Sequence, residues 1–290
     1  MIHHLKLDCP PLFDYRRPPD GRHVIPWSMH PKARTARRAA FQPVDLTPFV
    51  PCVYNQSRIG ECSACGSIGA AQTSLAKAGK PLVGIVAPLS VYTPTRAIER
   101  AVAYPTGKLP PLADTGAYPD DALRVLQLYG MRTTLQECGE AGPSPKLSQY
   151  EDDHVNDEPT LLGYEQAAAF KLLGGFDIVS VGQQRIDDVI AALEAGYAIG
   201  ISVYASDNRF QNYSGGVMPD PPAGAGCDHW TYLAGCYKDA AGTPIFVDPN
   251  SWDVTWGIGY GSLSGGCFLA GPGIIQAADC LIAFAVTEVQ

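Results

Sequence analysis

The sequence predicts an α+β fold, with helices gathered in its first half and antiparallel strands in its second. Three observations carry this. Residues 62–79 and 120–130 read as helices that stop at glycine, Gly79 and Gly130. After residue 196 come five runs of strand type, rich in β-branched and aromatic residues. Helices and strands do not alternate, so no βαβ rhythm is expected.

Each element follows from its own residues. Residues 1–43, rich in Pro, Arg and His, read as a basic extended leader or arm. VDLTPFVPCVYNQ (44–56) reads as a short strand entering a loop. CSACGSIGAAQTSLAKAG, from Cys62, is small-residue throughout and suits a buried helix lying close to its neighbours. PLSVYTPTRAIERAV (88–102) reads as a second helix, started or interrupted at Pro94. DDALRVLQLYG (120–130) is amphipathic, with Ala122, Val125, Leu126 and Tyr129 on one face. Residues 138–160 are polar and acidic and read as a surface loop. RIDDVIAALEAG (185–196) reads as a helix capped by Gly196. The strand runs are 197–205, 230–239, 243–249, 257–264 and 280–287, around a Gly/Pro-rich loop at 215–228.

Composition bounds the function. A chain of 290 residues suits one large domain or two small lobes sharing a core. Hydrophobic content of 46% with 17% charge is globular rather than disordered chemistry. No run reaches the ~18–20 apolar residues of a membrane helix, and the first residues lack the apolar core of a secretory signal. Nine cysteines are an odd number, so free thiols in a reducing compartment are the default. A cytoplasmic location is the expectation, with virion association as the other reading. The net charge of −8 is uneven: residues 1–50 hold eight Lys/Arg against four Asp, or +4, leaving −12 for the rest. The acidic body argues against nucleic acid as the main substrate. The basic leader reads as a solvated arm, or else as one that docks on its own body or on a partner. No cofactor or metal is expected.

The chemistry concentrates in few residues. Four of six histidines lie in the leader: His3, His4, His23 and His30. His154, in EDDH, reads as solvated, which leaves His229 between a Gly-rich loop and a strand. Cys62 stands at the predicted start of a helix, where the N-terminal N–H groups and the dipole stabilise a thiolate. A nearby imidazolium would lower its pKa further. Asn250, in NSWDVTWG, supplies a neutral amide able to fix a histidine tautomer. Rival readings are Cys65 as nucleophile and a Cys62–Cys65 redox motif or reversible disulfide. A zinc site on Cys62, Cys65, Cys227 and His229 is a third.

In this order, the pieces resemble the papain family of cysteine proteases. The likeness is nearest to the bacterial and viral branch with a D-Q-G-x-x-G-S-C-type nucleophile segment. Gln56 stands six residues before Cys62, Asp228 precedes His229, and Asn250-Ser251-Trp252 is followed by Trp256-Gly257. Weaker matches are SVYTPTRAIE (90–99) and DTGAYPDDALRVLQLYG (114–130). The resemblance implies a papain-like two-lobe fold. A helical first lobe (about 57–165) would face an antiparallel β-barrel-like second lobe (about 166–290 with 44–56), the active-site cleft between them. It implies a cysteine peptidase acting on a peptide or protein substrate. Cys62 would be its nucleophile, His229 its base, Asn250 the residue orienting the base and Gln56 an oxyanion donor. Thr115, Gly116 and Ala117 would line substrate subsites, and Trp252 would shield the His229–Asn250 hydrogen bond. A catalytically silent binding or structural module on the same fold is the alternative, as is a Cys-His amidase or acyltransferase. The sequence departs from the family at Ser63 (usually aromatic), at Ser57 and Asp253 (usually Gly) and at Trp230 (usually small). Trp230 and Asp253 are expected to alter the rim on the leaving-group side.

Overall fold

The computed structural model describes residues 25–36, 41–82, 84–133, 153–158, 161–168 and 174–285. The chain opens with strand β1 (Ile25–Pro26), a 3-10 turn at Trp27–Met29 and helix α1 (Pro31–Ala36). Strand β2 (Val44–Asp45) and a second 3-10 turn (Thr47–Phe49) follow. Helices α2 (Cys62–Lys77), α3 (Leu89–Ala103), α4 (Pro119–Leu128) and α5 (Leu161–Ala167) complete the helical half. Gly79, the predicted stop of the first helix, takes φ +76 just beyond α2. Helix α3 runs through Pro94, at the loss of the N–H that would bond the Ser90 carbonyl. The surface loop expected at 138–160 lies outside the described residues up to 152.

The second half begins with β3 (Phe176–Asp177), α6 (Gly182–Glu194) and β4 (Ile199–Val203). A four-residue helix α7 (Asn208–Gln211), β5 (Val217–Met218), β6 (His229–Leu233) and β7 (Gly235–Lys238) come next. Strands β8 (Pro244–Pro249), β9 (Ile258–Tyr260) and β10 (Leu263–Ala270), helix α8 (Pro272–Ala277) and strand β11 (Leu281–Ala283) close the described chain. One sheet has the order β1-β3-β11-β4-β6, and the other β2-β7-β8-β10-β5 with β9 beside β10. Pairing is antiparallel except for β1 with β3 and β10 with β5. The order of helices before antiparallel strands is therefore the one expected.

Three strand expectations need correction. The run 230–239 is two strands, because the chain crosses from one sheet to the other at Ala234, whose N–H donates to the Val247 carbonyl. The run 257–264 holds a turn at Gly261, φ +56, between β9 and β10. Most of β10 was not expected at all, since none of the strand runs extends past residue 264 before 280. A side chain at Gly265 would lie 1.8 Å from the Val254 carbonyl oxygen, so close backbone approach explains that glycine.

Residues 25–36 are not a solvated extended arm. Strand β1 adds to the first sheet, and Trp27 is 1% exposed. The Trp27 ring stacks on His30 at 4.8 Å, with Phe176 and Tyr197 edge-on to both. Lys32 donates to the Ala195 carbonyl at 3.1 Å and lies over the Tyr197 ring. Residues 1–24 and 37–40 lie outside the described residues.

The contact that positions the site is that of α2 on β6. Along β6 the side chains alternate: His229 and Thr231 reach toward β8, while Trp230 and Tyr232 meet α2. Trp230 is fully buried, with its Nε1 donating to Ser67 Oγ at 3.2 Å. It therefore does not form the rim of a cleft, and that expectation is corrected by strand alternation. Room for the two rings comes from Gly66 and Gly69. A Cβ at Gly66 would sit 2.7 Å from Trp230 Cδ1, and one at Gly69 2.4 Å from Tyr232 Cε1. Gly69→Ala should accordingly lose about 1–3 kcal/mol to overpacking, offset in part by a helix-propensity gain of at most about 1 kcal/mol. Urea unfolding should show a lower midpoint at unchanged slope. An unchanged midpoint would mean that this helix–strand spacing has slack.

Candidate active site

Cys62 is the first residue of α2 and is 1% exposed. Gly66 faces Trp230 and Thr231, and Gly69 faces Tyr232, so α2 and β6 run in the same direction. Moving back one turn of helix, about 6 Å, matches about two residues of strand. Cys62 and His229 thus stand at the starts of the two elements so paired, α2 and β6. The first turn of α2 directs the positive end of its dipole at the same point.

His229 is fully buried, and its Nε2 lies 2.7 Å from Asn250 Oδ1. Asn250 Oδ1 also accepts the Ser251 N–H at 2.8 Å, which marks it as the carbonyl oxygen. The ring therefore carries its proton on Nε2 when neutral, leaving Nδ1 as the basic nitrogen. Burial lowers the His229 pKa to about 4, against the Asn250 hydrogen bond and the Asp228 carboxylate, which raise it. Asp228 is itself held by the Ala205 and Ser206 N–H groups, at 2.6 and 3.1 Å.

An aromatic cage surrounds this pair. Trp252 lies 5.1 Å from the His229 ring, and Phe210 stands edge-on to both. Trp256 and Phe268 back the cage, and Trp256 Nε1 donates to the Gln211 carbonyl. Trp252 thus lies against one face of the His229 ring. Sequence reasoning missed Phe210, which shares a short polar stretch with Tyr213 between a strand and a Gly pair and carries no other signal.

Gln56 reaches the site through a clasp between residues 54–57 and 251–253. Its N–H donates to the Ser251 carbonyl at 2.9 Å, and its Oε1 accepts the Ser251 hydroxyl at 2.5 Å. Its Nε2 donates one hydrogen to the Ile59 carbonyl at 3.0 Å, which leaves the second N–H of the amide for a ligand. Asn55 and Trp252 form an isolated β-bridge in the same clasp. Ser57 and Asp253, which stand where glycine was expected, both keep positive φ, at 50° and 69°. The Asn55 side chain accepts the Ser57 N–H and donates to Asp253, and Asp253 accepts the Thr255 N–H. Local hydrogen bonds thus hold the left-handed backbone that glycine would adopt freely.

The other candidates separate. Thr115 is exposed, whereas Gly116 and Ala117 are buried. Cys65 is buried with its thiol donating to Glu61 Oε1 at 3.6 Å, and a carboxylate neighbour disfavours a thiolate. Neither Cys62 nor Cys65 is part of a disulfide. Among the described residues, no three His, Cys, Asp or Glu side chains cluster to hold a metal. His154 is exposed and pairs with Asp157 at 2.6 Å.

Comparison with known proteins follows the geometry. The family model described as papain family cysteine protease matches residues 116–269, a stretch holding His229, Asn250 and Trp252. A senescence-specific cysteine protease, SAG39, of Oryza sativa is 25% identical over 181 residues, covering 57% of this chain and 48% of that protein. The chain thus spans about half the length of the curated relatives it matches. Among solved structures, xylellain, a cysteine protease from Xylella fastidiosa, superposes with TM-score 0.67 at 22% identity over 96% of this chain and 98% of its own. Digestive procathepsin L 3 of Tenebrio molitor larval midgut gives 0.62 at 16% identity, over 94% and 77%. These structures share the fold, a papain-like α+β arrangement with a curled antiparallel half-barrel sheet.

Proposed function

The chain belongs to the papain family of cysteine proteases, and from that premise we propose that it is a cysteine peptidase working through Cys62, His229, Asn250 and Gln56. The observation that carries the reading is the buried His229 Nε2 to Asn250 Oδ1 hydrogen bond of 2.7 Å, at the end of a strand packed on the helix that Cys62 begins. A histidine held in one tautomer presents Nδ1 as a base of fixed direction.

The Cys62 thiol passes its proton to His229 Nδ1, and the thiolate attacks a peptide carbonyl. The oxyanion accepts from the second Gln56 Nε2 hydrogen and from the Cys62 backbone N–H. As the tetrahedral adduct collapses, the C–N bond breaks and His229 returns its proton to the leaving amine. A thioester then joins the acyl group to Cys62. Water gives a proton to His229 and attacks the thioester. The acid departs, and the proton returns to Cys62. The substrate is a peptide or protein, with the exposed edge at Thr115 and Trp252 flanking it.

The test is hydrolysis of a fluorogenic peptide library by the parent protein and by Cys62→Ala. Loss of the nucleophile is expected to lower turnover by at least about 10,000-fold. Hydrolysis retained in Cys62→Ala would sink the assignment.

A further inference from the structure

A carboxylate outside the proposed catalytic set joins the loop that delivers the nucleophile to the segment expected to hold substrate. Both oxygens of Asp114 accept the Gly60 N–H, at 3.1 and 3.2 Å, and Gly60 lies two residues before Cys62. The Tyr92 hydroxyl donates to Asp114 Oδ1 at 2.5 Å and accepts the Gly116 N–H at 2.9 Å. One carboxylate and one phenol therefore tie Gly60 to Gly116. The approach is close: a Cβ on Gly60 would lie 3.1 Å from Asp114 Oδ1 and 3.2 Å from both Gly116 N and Tyr92 Oη.

The joint is braced from below. Tyr92 is fully buried in α3, and burial with the Asp114 charge holds its phenol well above the usual range, so it stays a donor. Arg96, 2% exposed, lies 4.1 Å over the Tyr92 ring. It donates to the Ala113 carbonyl at 2.6 Å, to the Val155 carbonyl and to Asn156. Burial lowers the guanidinium pKa, while Tyr92, Asp114, Glu61 and Glu99 around it act in the opposite sense. A cluster of one guanidinium and three carboxyl groups thus sits beneath the start of α2.

We infer that Asp114 is a positioning residue for the reaction: through the Gly60 backbone and Tyr92 it fixes the distance between Cys62 and the substrate-holding backbone at 115–117. This rests on the reading of Cys62 as nucleophile. Displacement of a reacting group by about 1 Å costs about 100-fold in rate, which sets the scale of the effect.

The two arms can be cut separately. Asp114→Ala releases Gly60 and is expected to lower kcat on a fluorogenic peptide by about 10–100-fold. It should also slow iodoacetamide labelling of Cys62. Tyr92→Phe keeps the ring beneath Arg96 and the Asp114–Gly60 contact, but frees Gly116 and takes one donor from Asp114. It should raise KM several-fold while kcat and Cys62 labelling stay near parental. Asp114→Asn keeps an acceptor for Gly60 and should recover most of kcat. Parental kcat, KM and labelling in Asp114→Ala and Tyr92→Phe would overturn the inference. If Asp114→Ala does not fold, an unchanged KM in Tyr92→Phe overturns it on its own. An active parent with unaffected variants defeats this inference alone. A parent without Cys62-dependent hydrolysis removes the reading beneath it as well.

Discussion

Iodoacetamide at about pH 5.5 should label Cys62 quickly and the other described thiols slowly, and His229→Ala should abolish the fast labelling. An ordinary thiol of pKa ~8.5 is only about 0.1% thiolate at that pH. Burial pushes Cys227 up to about 11 and Cys236 and Cys267 to about 12, so these three are poorer still. Cys65 faces the Glu61 carboxyl. Cys62 begins α2 and so has the helix N-terminus beside it, and the proposed mechanism makes His229 its partner. The sign of the coupling can be worked through. Burial, outweighing the Asn250 hydrogen bond and the Asp228 carboxylate, holds His229 at about 4, so beside a neutral thiol it would be uncharged at pH 5.5. A thiolate at Cys62 raises that value, and the imidazolium in turn lowers the thiol, so the proton moves within the pair as one titrating unit. In Cys62→Ala, the His229 ring observed by NMR should titrate near 4; in the parent, the imidazolium should persist to higher pH. Peptide hydrolysis in His229→Ala should fall at least about 1000-fold. Labelling spread over several cysteines, or left intact in His229→Ala, would mean that Cys62 and His229 do not form an activated pair.

Much of this site was legible in the sequence because it is written in short segments with strong local demands. A helix of small residues beginning at Cys62, a histidine opening a strand and an Asn-Ser-Trp turn each declare their backbone setting. The conformations of Ser57 and Asp253 show the limit of such reading. Glycine was absent, yet the left-handed backbone stayed, supported by Asn55 and by Asp253's own side chain. What sequence could not supply were pairings over long separations. Trp27 and His30 look like leader residues until Phe176 and Tyr197, well over a hundred positions on, close around them. Trp230 looks like a rim residue next to His229 until strand alternation turns it onto Gly66. Asp114 only opens a weak match at 114–130, and its bonds to Gly60 and Tyr92 are visible only once the chain is folded.

Gln56→Ala should cut kcat by about 100–1000-fold while leaving the fast labelling of Cys62 at about pH 5.5 unchanged. The two readouts separate because an oxyanion forms only on a carbonyl substrate, whereas alkylation of the thiolate has none to stabilise. Gln56 is fitted for that task by how few freedoms it retains. Its backbone is bonded to Ser251, its Oε1 accepts the Ser251 hydroxyl, and one amide hydrogen is committed to Ile59. A donor fixed in this way needs no reorganisation as charge develops, which is the source of its effect in a buried site. Alanine also removes the partners of the Ser251 hydroxyl and the Ile59 carbonyl, so some loss of stability is expected, and a thermal melt would separate it from the kinetic loss. Gln56→Glu preserves the volume and an acceptor for Ser251, but it turns an oxygen instead of a donor toward the developing charge. That variant should lose at least as much kcat as alanine. A folded Gln56→Ala protein within about tenfold of parental kcat would leave the Cys62 N–H and the helix terminus as the main oxyanion donors, because a lost side-chain donor of this kind ordinarily costs at least about 100-fold.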